Sequence, residues 1–251
     1  MVASKIRVLI VDDSALVRKV LVEILGSDPA IEIAGVANDP LDARAKIKAL
    51  NPDVLTLDVE MPKMDGLTFL QKIMAARPMP VIMVSSLTES GCDTTLRALE
   101  IGAVDFITKP KLDVQHGLEE LAETITSKVK AAAAATVRKR TATSVSQDRI
   151  REMATHSSMI KTTDTIIAIG ASTGGTEALK ELLEVLPSSV PPIVITQHMP
   201  ERFTKTFADR LNQVCQIGVK EAEDGDSVIP GQALLAPGNY HMELRRSGAK
   251  Y

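Results

Sequence analysis

Carboxylates stand at the ends of two strand-like runs in the first half of the sequence. Asp12 and Asp13 follow the aliphatic run Ile6–Val11, and Asp58 stands at the end of another, Val54–Val59. If these runs form neighbouring parallel strands, their carboxyl ends meet at one edge of the sheet. Three like charges so close together repel one another unless a cation neutralises them. Carboxylates and water are the ligands that Mg²⁺ prefers, so the pattern predicts a magnesium site made by the three Asp residues.

Two further polar residues end strand-like runs that belong to the same edge. Lys109 follows Asp105–Thr108 and supplies a positive charge, and Ser85 ends Val81–Ser85 with a hydroxyl. Lysine and metal together would hold phosphoryl oxygens while Asp58 attacks, which is phosphoryl transfer onto a carboxylate. Asp is also common in turns, but this combination of groups at four strand ends favours the chemical interpretation.

A second group of reactive side chains begins after residue 164. The sequence GASTG over Gly170–Gly174 fits the pattern G-x-S-x-G between a strand-like and a helix-like segment, and such a turn raises Ser172 above the sheet edge. Backbone N–H groups at the start of the following helix can stabilise an oxyanion. His198 follows the next strand-like run, Pro192–Thr196. The spacing therefore predicts a serine nucleophile with a histidine base.

A glycine-rich turn before a helix can also bind phosphate or a dinucleotide. No Gly-Lys-Ser/Thr follows, which excludes a P-loop, and Ser172 stands where a dinucleotide fingerprint has its second glycine. A serine at a helix start is also a common cap, so the turn alone is a weak signal. The prediction depends on His198 following one β–α unit later.

Strand-like and helix-like segments alternate five times along the first 130 residues. Ile6–Val11 has the composition of a buried parallel strand, and the next segment has apolar residues at the period of an amphipathic helix: Val17, Val20, Leu21 and Ile24. The alternation resumes with a strand at Thr165–Ile169 and a helix at Thr176–Leu186. That helix has an apolar stripe made of Leu179, Leu182, Leu183 and Leu186. The pattern predicts an α/β protein with two doubly wound parallel sheets.

Residues 127–163 differ in composition from both halves. They are rich in Ala, Ser and Thr and carry more basic than acidic residues. We expect a linker, helical at its start where Ala131–Ala135 extend the preceding helix, between domains at residues 1–126 and 164–251. A nucleic-acid-binding patch is the alternative, but no other basic face supports it.

Composition excludes several other classes of protein. Aromatic residues make up 2% of the chain, which argues against a protein that binds single-stranded nucleic acid by stacking bases on aromatic rings. The net charge of −3 argues against a basic DNA-binding face. No apolar run has the length of a membrane span. Cys92 and Cys215 have no zinc or haem spacing and allow one disulfide at most. We therefore expect a cytoplasmic protein that neither inserts into membranes nor binds nucleic acid.

The first 130 residues resemble the receiver domains of two-component response regulators. The resemblance is carried by Val11–Ser14, Leu57–Gly66, Val84–Ser86 and Phe106–Pro110. It implies a flavodoxin-like fold, phosphorylation of Asp58 by a histidine kinase, and Mg²⁺ held by Asp12, Asp13 and Asp58. It also implies three switch residues, namely Ser85 as the hydroxyl, Phe106 as the aromatic ring and Lys109 as the contact to the phosphoryl group.

Residues 164–251 resemble the first part of the catalytic domain of the chemotaxis protein-glutamate methylesterases, which also carry a receiver and a linker in front. The matching stretches are Ile169–Thr176, Gln197–Pro200 and Ala236–Met242. The resemblance implies that Ser172, with His198 as base and the oxyanion near Thr173, hydrolyses γ-methyl esters of glutamates on methyl-accepting chemotaxis receptors. It further implies that the enzyme deamidates some receptor glutamines and needs no cofactor at the esterase site. It also implies that the chemotaxis histidine kinase is the phosphoryl donor, and that the receiver covers the active site until it is phosphorylated.

One member of that family's triad has no counterpart in the sequence. The family has an Asp near the C-terminal end of the domain, whereas Asp209, Asp224 and Asp226 do not stand in the matching context. We expect the third residue beyond Tyr251, in a longer parent protein of which this chain is a truncated form. The alternative function is a catalytically dead, receiver-linked binding module. A DNA-binding regulator would need a helix-turn-helix after the linker, and none is evident.

Overall fold

Two parallel β-sheets organise the chain. The computed structural model describes residues 4–62, 64–86, 88–109, 118–137 and 165–246, and the chain divides into two units, Met1–Lys139 and Arg140–Tyr251. Each unit alternates strands with helices around one sheet. The predicted fold class, α/β with two parallel sheets, is confirmed. Among the helices of the described residues, none combines the length and the apolar character that a membrane crossing requires.

The first unit has the strand order β2-β1-β3-β4-β5, with every neighbouring pair parallel. This is the flavodoxin-like order, in which the chain reverses direction beside β1 and functional groups gather at the carboxyl edge. Its described elements are β1 (Ile6–Val11), α1 (Ala15–Gly26), β2 (Ile31–Ala37), α2 (Pro40–Leu50), β3 (Val54–Asp58), α3 (Gly66–Ala76), β4 (Val81–Ser85), α4 (Glu89–Ile101), β5 (Asp105–Thr108) and α5 (Leu118–Ala134).

The helices that follow strands at the carboxyl edge begin at residues whose side chains accept hydrogen bonds from the first turn. Ser14 caps α1, Asp65 caps α3 and Thr88 caps α4. Each cap satisfies a backbone N–H that the helix leaves without a partner, and one such cap contributes about 1 kcal/mol. These caps also fix where each loop at the edge ends, and therefore position the polar residues in those loops.

The core of the first unit lies between the central strands and the helices on their faces. Strands β3 and β4 are buried along their whole length. One cluster joins Val8 and Val84 of the sheet to Leu21 of α1 and Ile125 of α5. Burial of each such aliphatic side chain contributes about 1.5–3 kcal/mol, so the sheet provides a rigid base for its edge.

The second unit has the strand order β6-β7-β9-β8, again with parallel neighbours. Its described elements are β6 (Ile167–Ala171), α6 (Gly175–Glu184), β7 (Ile193–Gln197), α7 (Phe203–Val214), β8 (Gly218–Glu221) and β9 (Gln232–Leu235). The first strand extends two residues further than predicted, because Gly170 and Ala171 pair with Thr196 and Gln197 of β7. The turn therefore begins at Ser172.

The predicted leucine stripe of α6 was wrong at two positions. Leu186 lies beyond the end of the helix at Glu184. Leu179 and Leu183 are buried, but Leu182 is 44% exposed. The helix packs through residues four apart, Gly175, Leu179 and Leu183. Because the buried face of the helix is this narrow, Leu182, which directly precedes Leu183, faces solvent.

Helix α5 continues into the segment predicted as a linker. It ends at Ala134, as the alanine run suggested, and residues 138–164 lie outside the described part of the chain. The predicted domain boundaries and the assignment of residues 127–163 as a linker therefore remain predictions.

Lys128, at the start of that segment, is a core residue of the first unit. Its Nζ donates to Asp105 Oδ1 at 2.9 Å and to the Phe106 carbonyl oxygen at 2.8 Å, and lies 5.0 Å from the centre of the Phe106 ring. Both charged residues are 7% exposed. The pair joins α5 to β5, a contact that a basic stretch of sequence does not reveal.

Replacing Lys128 by Met should destabilise the first unit by about 3–5 kcal/mol, because the buried Asp105 carboxylate loses the ammonium that pairs with it. The slowest-exchanging amides of β1, β3 and β4 report the free energy of unfolding of this unit. Lys19→Met, on an exposed position of α1, is the control and should change it by less than about 0.5 kcal/mol. An equal loss in both variants would contradict the assignment.

Candidate functional site

The three predicted carboxylates meet at the carboxyl edge of the first sheet. Strands β1 and β3 are neighbours, with Val11 opposite Leu57, so Asp12 and Asp58 leave the sheet side by side. Oxygen atoms of Asp12, Asp13 and Asp58 lie within 4.8 Å of one another. The first and last of these side chains are fully buried and Asp13 is exposed.

Lys109 reaches this cluster from β5, two strands away from β3. Its Nζ lies 2.8 Å from Asp58 Oδ1 and 2.9 Å from Oδ2, while its backbone N–H donates to the Ser85 carbonyl oxygen. A lysine is long enough to span the distance, and its ammonium offsets part of the negative charge.

The electrostatics of the cluster disfavour ionised Asp12. Burial first, and then the negative charge of Asp58, raise the pKa of Asp12 to about 6. Burial also raises the pKa of Asp58, although the hydrogen bond from Lys109 opposes it. Burial alone would lower the pKa of Lys109, but its hydrogen bond to Asp58 and the negative charges of the three Asp residues together outweigh this and raise it. The site holds more negative charge than its own groups neutralise.

The donor set of this cluster fits a hard divalent cation. Asp12 Oδ1 accepts from the Ser14 N–H at 2.9 Å, whereas the buried Oδ2 of the same carboxylate has no hydrogen-bond partner among the described residues. Buried carboxylate oxygens are rarely left without a partner. Asp12, Asp13 and Asp58 are therefore suited to hold Mg²⁺.

Gly66, to which the sequence analysis assigned no role, closes the loop beside this cluster. A Cβ at this position would lie 2.0 Å from the Asp58 carbonyl oxygen, and the Gly66 N–H donates to the Val59 carbonyl at 2.9 Å. Only glycine lets the start of α3 approach the end of β3 this closely. The Asp65–Gly66 pair is the signal in the sequence, although it does not show what the glycine contacts.

The other two predicted receiver residues lie beside the cluster but point elsewhere. Ser85 ends β4 and is fully buried, and its Oγ lies 2.7 Å from the Oγ1 of Thr95 on α4. Phe106 is 2% exposed, with its ring against Lys128. In this structure neither side chain is described in contact with the carboxylates.

Ser172 and His198 occupy neighbouring strand ends in the second unit. Ala171 pairs with Gln197 at the end of β6 and β7, and the His198 N–H donates to the Ala171 carbonyl at 3.0 Å. Both side chains are exposed. The parallel pairing thus brings the predicted nucleophile and the predicted base to one edge, each on the residue directly after its strand.

The turn after Ser172 leads directly into α6. Half-buried Thr173 precedes Gly174, which has a φ of 76° and caps the helix without a side-chain hydrogen bond. A helix start carries N–H groups without intrahelical partners and the positive end of the helix dipole. This is the region in which an oxyanion formed at Ser172 would be stabilised.

Gln197 holds this turn in place, a role that the sequence did not indicate. Its Nε2 donates to the Ser172 carbonyl oxygen at 3.0 Å, which also accepts from the Gly175 N–H at 2.7 Å. A Cβ on Gly175 would lie 2.3 Å from Gln197 Oε1. The amide therefore lies across the first residue of α6, where only glycine leaves room for it.

A third strand end adjoins the His198 loop. Strand β9 continues beside β7, since the Ala236 N–H donates to the Ile195 carbonyl at 2.8 Å. The loop that follows approaches so closely that a Cβ on Gly238 would lie 2.5 Å from the Glu201 backbone nitrogen. Buried Thr204 accepts from the Gly238 N–H at 3.0 Å. The stretch Ala236–Met242 thus borders the same edge, which its sequence alone did not indicate.

The three aspartates that could complete a triad in this unit, Asp209, Asp224 and Asp226, have other partners or face solvent. Asp209 pairs with Lys205 on the surface of α7, and Asp226 binds the Lys220 ammonium at 3.0 Å. Asp224 is exposed. These contacts give none of the three a link to His198.

The two sites define the class of protein: a receiver of phosphoryl groups followed by a domain with a serine nucleophile. Residues 8–126 match the family model of the response regulator receiver domain, and residues 167–251 match that of the CheB methylesterase.

Similar proteins agree with these matches over nearly the whole chain. The chain is 58% identical over 250 residues to protein-glutamate methylesterase/protein-glutamine glutaminase 1 of Geobacter metallireducens, covering 98% of this chain and 69% of that protein. The corresponding enzyme of Thiobacillus denitrificans is 56% identical over 247 residues, with the same coverage of 98% and 69%. The chain belongs to the CheB methylesterase family.

Two solved structures from Thermotoga maritima are similar to parts of the chain, each at 45% identity. The response regulator domain of CheB covers 53% of this chain and 98% of its own, with a TM-score of 0.47. The CheB methylesterase catalytic domain covers 34% of this chain, with a TM-score of 0.33, and this chain spans 46% of that domain.

Asp12→Asn should stabilise the metal-free protein at pH 7 by about 1–3 kcal/mol. The folded-state pKa of Asp12, about 6, lies above its ordinary value of 3.8, so this carboxyl favours the folded state most below pH 3.8. That contribution is lost as the pH rises through 6. The variant should lack this part of the pH dependence in urea unfolding with chelator present.

The control is Asp42→Asn, on the surface of α2 beside Lys46. It should keep the wild-type decline in stability between pH 4 and pH 6, a window set by the Asp12 values. Equal pH profiles for wild type and Asp12→Asn would disprove the electrostatic account of the cluster.

Proposed function

We propose that this chain is a chemotaxis methylesterase regulated by phosphorylation. It hydrolyses glutamate γ-methyl esters on methyl-accepting chemotaxis receptors and deamidates some receptor glutamines. Two relatives are named protein-glutamate methylesterase/protein-glutamine glutaminase, which supports both activities. The observation that carries the proposal is the placement of Ser172 and His198 directly after two paired parallel strands.

The esterase reaction follows from these two side chains. Ser172 Oγ attacks the ester carbonyl carbon while His198 takes the hydroxyl proton. The oxyanion that forms is stabilised at the N-terminus of α6, near Thr173. The C–O bond then breaks, methanol leaves with the proton from His198, and water hydrolyses the acyl-enzyme to a glutamate carboxylate. With a glutamine substrate the leaving group is ammonia, and no cofactor takes part.

Phosphorylation uses the carboxylate cluster of the first unit. An Asp58 oxygen attacks the phosphorus atom of a phosphohistidine on the chemotaxis kinase, and the histidine leaves. Lys109 already lies 2.8 Å from that carboxylate, so its ammonium can follow the charge to the phosphoryl oxygens. Mg²⁺ held by Asp12, Asp13 and Asp58 would neutralise the remaining negative charge. Ser85, Phe106 and Lys109 are proposed to respond to the phosphoryl group.

The partners are thus the receptors as substrate and the histidine kinase as phosphoryl donor, without nucleic acid or direct membrane insertion. We place the protein in the cytoplasm. Cys92 and Cys215 form no disulfide in the structure, a state that reducing compartments favour.

The alternative is a binding module without catalytic activity. What favours it is that Asp209 and Asp226 bind lysines rather than His198, and loss of the orienting Asp in a serine-protease triad costs on the order of 10⁴ in rate. Methanol release from methylated receptors separates the two functions.

Ser172→Ala should abolish methanol release from methylated receptor membranes, because the acyl-enzyme cannot form. The chain is assayed with and without acetyl phosphate and Mg²⁺, and release by the wild type should rise when both are present. Ser227→Ala, at an exposed serine of the same unit, should retain wild-type release. A wild type that is phosphorylated but releases no methanol would support the binding module.

Asp58→Asn should prevent incorporation of phosphate from acetyl phosphate, since the nucleophilic oxygen is lost. Phosphorylated and unmodified chains are separated on phosphate-affinity gels. Asp42→Asn should be labelled as the wild type is. Undiminished labelling of Asp58→Asn would place the phosphoryl group on another residue.

A further inference from the structure

We propose that Thr95 is a positioning residue that holds the Ser85 hydroxyl against helix α4 and so limits the affinity of the phosphoryl site. The inference rests on the proposed phosphorylation of Asp58. It adds to that function a residue of α4 to which the sequence analysis assigned no role.

The contact between Thr95 and Ser85 is completely buried. Both residues are 0% exposed, and the Thr95 Oγ1 lies 2.7 Å from the Ser85 Oγ. The Ser85 Oγ is also 3.2 Å from the Ser86 carbonyl oxygen and 3.3 Å from that of Gly91. The partners of this hydroxyl therefore belong to its own strand end and to α4.

Ser85 stands where a phosphoryl group on Asp58 would need a donor. Val84 lies opposite Asp58 across β3 and β4, and the Val59 N–H donates to the Val84 carbonyl at 3.0 Å. The next residue, Ser85, is thus beside the end of β3. A hydroxyl has one proton to donate, so Ser85 can give it to a phosphoryl oxygen only by turning its Oγ away from α4.

Thr95 remains hydrogen-bonded after Ser85 turns away. Its Oγ1 lies 2.6 Å from the Gly91 carbonyl oxygen, one turn earlier in α4. The movement therefore breaks the bond between the two hydroxyls and exchanges the donation from Ser85 to a carbonyl oxygen for one to the phosphoryl group. It leaves no buried donor without an acceptor. A contact of this strength can favour the position of the Ser85 hydroxyl against α4 over its position toward the phosphoryl group, without preventing the movement.

The first turn of α4 keeps Thr95 at a fixed distance from Ser85. A Cβ on Gly91 would lie 2.8 Å from the Ser86 carbonyl oxygen, and the Gly91 N–H donates to the capping Thr88 at 3.1 Å. Because the start of the helix is packed this closely against the residues that follow β4, the Thr95 and Ser85 hydroxyls stay within hydrogen-bond distance of each other.

The test is calorimetric binding of beryllofluoride, a phosphoryl analogue, to the full chain with Mg²⁺. Thr95→Val keeps the shape of the side chain but removes its hydroxyl, and should lower the dissociation constant about two- to tenfold, as expected for the loss of one hydrogen bond. Thr95→Ser keeps the hydroxyl and should bind as the wild type does. Thr95→Ala provides a second variant without a hydroxyl if Val is not tolerated.

Two controls separate positioning from a general effect on packing. Thr94→Val removes a similar bond within α4, from Thr94 Oγ1 to the Ser90 carbonyl at 2.8 Å, and should leave affinity unchanged. In a Ser85→Ala background, Thr95→Val should have no further effect, because the group that Thr95 positions is gone.

Each outcome decides between the proposals. Unchanged or weaker binding by both Thr95→Val and Thr95→Ala overturns the role of Thr95, as does an undiminished effect in the Ser85→Ala background. If the wild type itself fails to bind beryllofluoride with Mg²⁺, the phosphorylation of Asp58 and the role of Thr95 are both wrong. If the wild type binds beryllofluoride and the Thr95 variants bind it with the same affinity, only the role of Thr95 is wrong.

Discussion

Burial of the Asp12 and Asp58 carboxylates at one sheet edge is the constraint on which the first unit depends. Desolvation opposes their ionisation, and the Lys109 ammonium offsets only part of it. The aliphatic strands below must therefore supply the stability that this edge does not, and they are buried along most of their length. Such a site is stabilised by a metal ion, which supplies positive charge. A phosphoryl group on Asp58 spreads the negative charge of that carboxylate over more oxygen atoms.

Both units use the same geometry for different chemistry. In each, parallel pairing brings residues distant in sequence to neighbouring strand ends: Asp12 beside Asp58, and Ser172 beside His198. The first edge buries the Asp12 and Asp58 carboxylates and so raises their pKa values, whereas the second leaves the predicted nucleophile and base exposed. Phosphoryl transfer needs concentrated charge, and attack on a receptor side chain needs access for a macromolecule. The difference in burial therefore matches the difference in proposed reactions.

Close backbone approaches hold the loops at these edges. Gly66, Gly175 and Gly238 each lie where a Cβ would overlap a neighbouring group, namely the Asp58 carbonyl, the Gln197 amide and the Glu201 backbone. Because the loops have little freedom to shift, the side chains they carry keep their positions. Thr95 and Gln197 serve the same purpose with hydrogen bonds, to Ser85 and to the Ser172 carbonyl.

The sequence by itself determined the α/β class, the alternation of strands and helices and the candidate residues, because helix period, aliphatic strands and residue type at strand ends are local properties. Tertiary structure decided what depends on partners far away in the chain. Pairing with β7 extended β6 through Gly170, one-sided packing exposed Leu182, and burial made Lys128 the partner of Asp105. The roles of Thr95 and Gln197 are of the same kind, since a side chain's hydrogen-bond partner is chosen by contacts across elements that no local pattern encodes.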